Sequence, residues 1–112
     1  TKELERARAR AEHLSNTDHL SGLSNRRHFY NASQAALEQA YSAPGGQAAV
    51  GVMMVDIDHF KQINDQYGHA SGDRVIAELA RRLRAGMPAD ALVGRLGGEE
   101  FAVLLPQTDL AR

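Results

Sequence analysis

The stretch Val50-Gly51-Val52-Met53-Met54-Val55 constrains the fold of this chain more than any other. It is a continuous apolar run bounded by turn residues, which predicts a strand buried on both faces of a sheet. It ends directly in Asp56-Ile57-Asp58, so two carboxylates stand at the mouth of that sheet. Two further strand-like runs, Ala91-Leu92-Val93-Gly94-Arg95-Leu96 and Phe101-Ala102-Val103-Leu104-Leu105, flank Gly97-Gly98-Glu99-Glu100. That pattern predicts a hairpin with two acids at its tip. Between the first strand and the hairpin, Phe60, Ile63 and Tyr67 mark one or two helical turns up to Gly68. Val75, Ile76, Leu79 and Leu83 mark a longer helix ending at Gly86, with Ser71 as its cap.

The first half of the chain reads as helical. Residues 1–17 are dense in Glu, Arg and Ala, and Leu4, Ala7, Ala11 and Leu14 are spaced as in a coiled-coil seam. Two heptads with alanine in the seam make a weak zipper, so this segment reads equally as a solvated amphipathic helix or a dimerising one. In either case it is a connector. Capping and turn residues follow, Ser15-Asn16-Thr17-Asp18 and Ser21-Gly22-Leu23-Ser24-Asn25, which predicts a new helix with Asn25 as N-cap. Phe29, Ala32, Ala36, Leu37 and Ala40 then recur on one face of a helix over residues 26–41, closed by Pro44-Gly45-Gly46.

Composition narrows what such a chain can do. Its 112 residues support one domain with a modest core. A net charge of −1 gives no chain-wide attraction to nucleic acid or an anionic membrane, and 5% aromatic residues without Trp supply no base-stacking platform. The absence of cysteine excludes disulfides, thiolate catalysis and Cys-ligated zinc, and suits a reducing compartment. No apolar stretch approaches the roughly 18 residues of a membrane span, and the N-terminus has no signal-peptide pattern. The five histidines lack zinc-ligand spacing, so His59 and His69 read as hydrogen-bonded structural residues. Arg26 and Arg27 read as structural ion-pair formers, and Arg81, Arg82 and Arg84 as the solvated face of a helix.

Chemistry has to come from the acids at the strand ends. Clustered carboxylates repel one another, and a hard divalent cation with oxygen ligands, Mg²⁺ above all, relieves that repulsion. Mg²⁺ implies phosphate. Glycines beside the acids remove side chains where a backbone must approach a bulky ligand, and their N–H groups can face phosphate oxygens. The alternative is an ordinary solvated turn containing Gly and Glu, and the second acidic strand end at Asp56-Ile57-Asp58 weighs against it.

These residues carry a resemblance. Gly97-Gly98-Glu99-Glu100-Phe101 is similar to the signature of the GGDEF family, the diguanylate cyclases, in its GGEEF form. Residues 18–27 resemble that family's entry motif DxLTGLxNRR, with Ser for Thr at 21, and residues 56–73 resemble its central motif DIDHFKxINDxxGHxxGD. The match covers residues 18 to about 105 and implies an α/β fold of α+β sandwich type, βαββαβ, with a palm-like sheet flanked by helices. It further implies condensation of two GTP into cyclic di-GMP, with release of pyrophosphate, across a homodimer in the bacterial cytoplasm. Carried over, Asp56, the Ile57 carbonyl, Glu99 and Glu100 would hold Mg²⁺ or Mn²⁺, which accept the same oxygen ligands. Glu100 would also help deprotonate the attacking hydroxyl. Asn64 and Asp73 would read the guanine edge, Phe60 and Lys61 would sit at the phosphates beside Gly97 and Gly98, and Arg95 would neutralise the leaving pyrophosphate. Against these roles, Phe60 shares a helical face with Ile63, Asp58 reads as structural, and Asp73 also suits a helix's first turn.

Two departures bear on activity. The family's inhibitory product site, Arg-x-x-Asp, maps to Pro88-Ala89-Asp90-Ala91, so feedback through it is not expected. The chain also ends at Arg112, where the family continues through another helix, a strand beside residues 50–55 and basic phosphate contacts. Residues 1–17 are thus expected to be a signalling linker from an upstream sensor and residues 18–112 the N-terminal portion of a GGDEF domain. The competing readings are a non-catalytic GTP or cyclic di-GMP receptor of the same fold, an inactive fragment, and a docking module that takes no nucleotide. An intact signature disfavours the receptor, and the coincidence of acids, glycines, Asn64 and Asp73 disfavours the docking module. No G-x-x-x-x-G-K-[ST] loop is present, which counts against a P-loop GTPase.

Overall fold

The computed structural model describes residues 1–42 and 50–106, the side chains of residues 12–14 excepted. The elements are α1 (Lys2–Asn16), α2 (Arg26–Ser42), β1 (Gly51–Asp56), α3 (Phe60–Tyr67), α4 (His69–Gly86), β2 (Leu92–Gly97) and β3 (Glu100–Leu105). The stop expected at Pro44-Gly45-Gly46 lies outside the described residues.

Asn25 organises the helical half. Its Oδ1 accepts from the His28 amide at 2.9 Å, the N-cap bond that starts α2. Its Nδ2 donates to the Ser15 carbonyl at 2.7 Å, and its backbone amide donates to the Asn16 carbonyl. One residue therefore satisfies orphan groups at the end of α1 and the start of α2. Arg27 also donates to the Ser15 carbonyl and Arg26 stacks over the Tyr30 ring at 5.5 Å, so among the described residues neither forms the ion pair expected from sequence. Described side chains of α1 through Ala11 are exposed, Leu4 at 60%.

The three strands form an antiparallel sheet in the order β1-β3-β2. This is the α+β architecture expected. The central strand alternates cleanly. Phe101 and Val103 face Ile76 and Ala80 of α4, with Leu23, Ala91 and Val93. Ala102 and Leu104 face the opposite way, toward Phe29 of α2 and Leu96. The core is thus two thin apolar layers on either side of β3. Phe29 comes so close to Gly94 that a β-carbon there would meet its ring at 2.7 Å, which is why β2 carries a glycine mid-strand. On the outer side of β2, the Ser24 amide donates to the Val93 carbonyl and the Arg95 amide to the Ser24 carbonyl, which lays the α1–α2 connector along that edge.

β1 corrects the sequence expectation of a strand buried on both faces. Val52 and Met54 are each 63% exposed and Met53 39%. Helix α2 packs over β2 and β3, so the face of β1 that carries Val52 and Met54 is left open. A six-residue apolar run does not distinguish a central strand from an edge strand. Three smaller corrections concern ends and faces. Helix α4 starts at His69 with Gly68 as N-cap, not at Ser71, because Gly68 (φ 91°) turns the chain straight from α3 into α4. Tyr67, one of the apolar residues that mark α3, is 65% exposed instead of sharing the half-buried face of Phe60 and Ile63. Arg84 is not solvated: its guanidinium donates to the carbonyls of Ala91 (2.7 Å) and Pro88 (2.6 Å), tying down the α4–β2 connector.

Candidate active site at the strand ends

The register of β1 against β3 places Asp56 opposite Glu100. Just beyond them the Ile57 amide donates to the Glu99 carbonyl at 3.3 Å. The 57/99 couple is therefore the hydrogen-bonded one, and 56/100 is the adjacent unbonded couple, whose side chains stand closer on a shared face. Sequence position alone does not bring these two residues together; they lie 44 positions apart, and strand pairing sets them opposite each other. Both are exposed, while Glu99 in the turn is half-buried.

The glycines at the tip have no structural requirement of their own. Neither Gly97 nor Gly98 has a φ in the left-handed region, and a β-carbon on either would meet nothing within 4 Å. By contrast, Gly22 and Gly68 have left-handed φ, while Gly72 and Gly94 are hemmed in by neighbours. The register of β2 against β3 shifts between Arg95 and Gly97, an irregularity of the bulge kind next to the turn. Open space over two backbone units beside paired acids is suited to close approach by a ligand.

Arg95 holds this turn in place. Its Nε and Nη2 donate to the Gly98 carbonyl at 3.1 and 2.8 Å, and its Nη1 donates to the Asp18 carboxylate at 3.2 Å. The pair is largely sheltered, with side-chain exposures of 16% and 23%. The expectation that Arg95 faces a leaving pyrophosphate thus meets a guanidinium already engaged by the protein. Burial pushes the Asp18 carboxyl up, but the Ser21 hydroxyl and amide and the Arg95 guanidinium together outweigh it, and the net shift is downward. Serine in place of threonine at 21 keeps the hydroxyl that this network needs. Asp18 is the residue whose importance sequence reasoning missed. The Asp-x-x-Ser spacing signals a local turn, but its partner Arg95 lies 77 positions away.

The remaining predicted site residues lie on and just before the α3–α4 helical hairpin. His59, the N-cap of α3, has left-handed backbone angles (φ 58°, ψ 29°), makes no side-chain cap bond and leaves its ring exposed. That corrects its reading as a hydrogen-bonded structural histidine. His69, the first residue of α4, is likewise exposed. Phe60 and Lys61 begin α3, four and five positions after Asp56; Lys61 is exposed, and Phe60 packs partly into the core, as its helical spacing suggested. Asn64 is half-buried on α3, and Asp73 is exposed on α4.

A metal can be tested against this donor set. Mg²⁺ is commonly bound by one or two carboxylates and completed by substrate phosphate and water, without an all-protein cage. Asp56 and Glu100, paired by register beside the Ile57 carbonyl, fit that pattern. Among the described residues no group of three His, Cys, Asp or Glu side chains gathers, so Glu99 is not drawn into one cluster with them.

Comparison with known proteins identifies the family. Residues 15–112 match the family described as diguanylate cyclase, GGDEF domain. The chain is 40% identical to diguanylate cyclase DgcM of Escherichia coli over 114 aligned positions, covering 96% of this chain and 26% of DgcM. It is 44% identical to the response regulator PleD of Caulobacter vibrioides over 98, covering 88% of this chain and 21% of PleD. It superimposes on the coiled coil and GGDEF domain of DgcB from Caulobacter crescentus, solved with c-di-GMP, with a TM-score of 0.85 and 32% identity. That alignment covers 98% of this chain and 58% of the other. The chain thus spans about a quarter of the curated relatives it matches. With paired acids, an open glycine tip and a family match running from the end of α1 through residue 112, the chain belongs to the GGDEF domain family.

Proposed function

We propose that this chain forms one GTP half-site of a diguanylate cyclase, and that two copies facing each other join two GTP into cyclic di-GMP. The observation that carries this reading is the register pair Asp56–Glu100 beside a turn whose glycines open onto unoccupied space. Asn64 and Asp73 hold the guanine edge, one amide and one carboxylate, with a donor and acceptor pattern that adenine does not match. The backbone at Phe60 and the Lys61 ammonium take the β- and γ-phosphates, and the turn at Gly97 and Gly98 lets the backbone lie against them. Asp56, the Ile57 carbonyl and Glu100, joined by Glu99 from the turn, would hold a divalent cation, which would supply charge neutralisation at the α-phosphate. The 3′-hydroxyl of one GTP attacks the α-phosphorus of the other, a P–O bond forms, and pyrophosphate leaves. Glu100 accepts the hydroxyl proton. Arg95 acts here by fixing the turn through Gly98 rather than by touching phosphate.

Under this reading α1 couples an upstream sensor to the catalytic unit through the Asn25 joint, and the GTP substrate sets the working compartment as the cytoplasm. The test is calorimetric titration of GTP, with ATP as control, in excess Mg²⁺, followed by turnover in the intact protein. Metal-dependent binding of GTP over ATP is expected. Asp56→Ala and Glu99→Ala are each expected to abolish synthesis while leaving the fold intact. Retained turnover in either removes the metal assignment, and binding without turnover in the intact dimer favours a nucleotide receptor.

A further inference from the structure

Gly72 is the tightest glycine among the described residues. A β-carbon there would lie 1.8 Å from Oδ1 of Asn64, 2.9 Å from its Cγ and 3.2 Å from Cζ of Phe60. The amide of Asn64, on α3, therefore occupies the volume that any other residue at 72, on α4, would fill. Asn64 Oδ1 is buried and accepts no hydrogen bond among the described residues, whereas its Nδ2 is not among the buried unpartnered atoms. A buried oxygen without a donor is costly unless something else is gained. What faces Oδ1 is the α-hydrogen of Gly72 that stands where a β-carbon would. A C–H tolerates an oxygen and makes a weak Cα–H···O contact with it, but it would collide with the hydrogens of an NH₂ group. The oxygen therefore turns toward Gly72 and the nitrogen away from it, while Asp73, the residue after Gly72 on α4, is exposed.

We infer that Gly72 is a positioning residue for base recognition: it gives the Asn64 amide its seat and leaves the NH₂ free as a donor. This rests on the reading of Asn64 and Asp73 as the base-binding pair. It adds that the glycine at 72 decides which end of the Asn64 amide is free to meet the base: the NH₂ donor, and not the oxygen. Phe60, one turn before Asn64 on the same face of α3, packs against the same glycine and keeps that face of α3 close to α4.

The test is a double-mutant cycle on nucleotide affinity in the intact protein, using GTP, ATP and inorganic triphosphate as probes, with thermal melting of every variant. Asn64→Ala is expected to weaken GTP binding about tenfold and leave triphosphate unaffected. Gly72→Ala is expected to give the same loss, because the displaced amide no longer meets the base. The double variant Asn64→Ala/Gly72→Ala, which removes the obstructing amide and so remains foldable, is expected to bind no worse than Asn64→Ala alone. In the wild type, the Asn64 side-chain NH₂ signals in a ¹⁵N-correlated spectrum are expected to shift with GTP and not with triphosphate. Additive losses in the double variant, unchanged GTP affinity in Gly72→Ala, or equal loss for all three probes would each overturn the role of Gly72 and leave GTP recognition standing. A wild type that binds GTP no better than ATP overturns both.

Discussion

At the scale of single residues, the Asp18–Arg95 pair links the entry segment to the turn at Gly97 and Gly98. Asp18 titrates in the folded protein below its ordinary value of 3.8. A depressed carboxylate contributes stability that is present above the unfolded pKa and lost as pH falls through the folded one. Denaturant titrations from pH 6 down to pH 2 are therefore expected to show an acid-side decline that is shallower in Asp18→Asn than in the wild type; identical slopes would exclude Asp18 as a source of it. Glu78 gives a useful contrast. Hydrogen bonds from Arg81 and Arg82 hold its carboxyl down to about 2, yet all three side chains are exposed, so Glu78→Gln should leave the melting temperature essentially unchanged. Gly94→Ala belongs to the same scale. A β-carbon 2.7 Å from the Phe29 ring forces α2 to shift off the sheet, and a loss of about 1–3 kcal/mol is expected by chemical denaturation. Asp56, Asn64, Asp73 and Glu100 are legible as candidates because they sit inside contiguous motifs. The partners of Asp18 and Arg95 are not, because tertiary folding alone brings them together.

At the scale of elements, periodicity located helices and strands well, while ends and faces depended on neighbours. Asn25 was readable as the N-cap of α2, since the cap bond is local. Its second role at the end of α1 is set by the turn between the helices, which no spacing rule encodes. Asn25→Ala removes both and is expected to destabilise by about 1–2 kcal/mol, with faster amide exchange at the end of α1 as well as at the start of α2. Exchange confined to α2 would mean that the bond to Ser15 contributes nothing. Arg84 misled for a related reason. Its place on a polar helical face suggested solvent, but the α4–β2 connector folds back and presents two carbonyls to it. The run at residues 50–55 was correctly read as a strand, and its exposure was not, since burial depends on what lies across the sheet.

At the scale of the whole molecule, the chemistry proposed here cannot be completed by one copy. Cyclic di-GMP contains two phosphodiester bonds, and each forms by attack on the α-phosphate of a different GTP. If each chain holds one GTP beside its own Asp56 and Glu100, then each half-site must work once for the ring to close. Specific synthesis should rise with protein concentration until pairing saturates. A stronger consequence follows for mixtures. Asp56 is exposed at the end of β1 and outside the core, so Asp56→Ala should fold and pair normally while disabling one half-site. With random pairing at fixed total protein, the product should fall with the square of the wild-type fraction. An equal mixture should then make about a quarter of the wild-type product rather than about half. A linear response from a variant whose melting temperature is unchanged would mean that one copy closes both bonds alone. A quadratic response with the melting temperature unchanged would locate the loss in the half-site, because a folding defect removes variant chains from pairing and leaves the response linear.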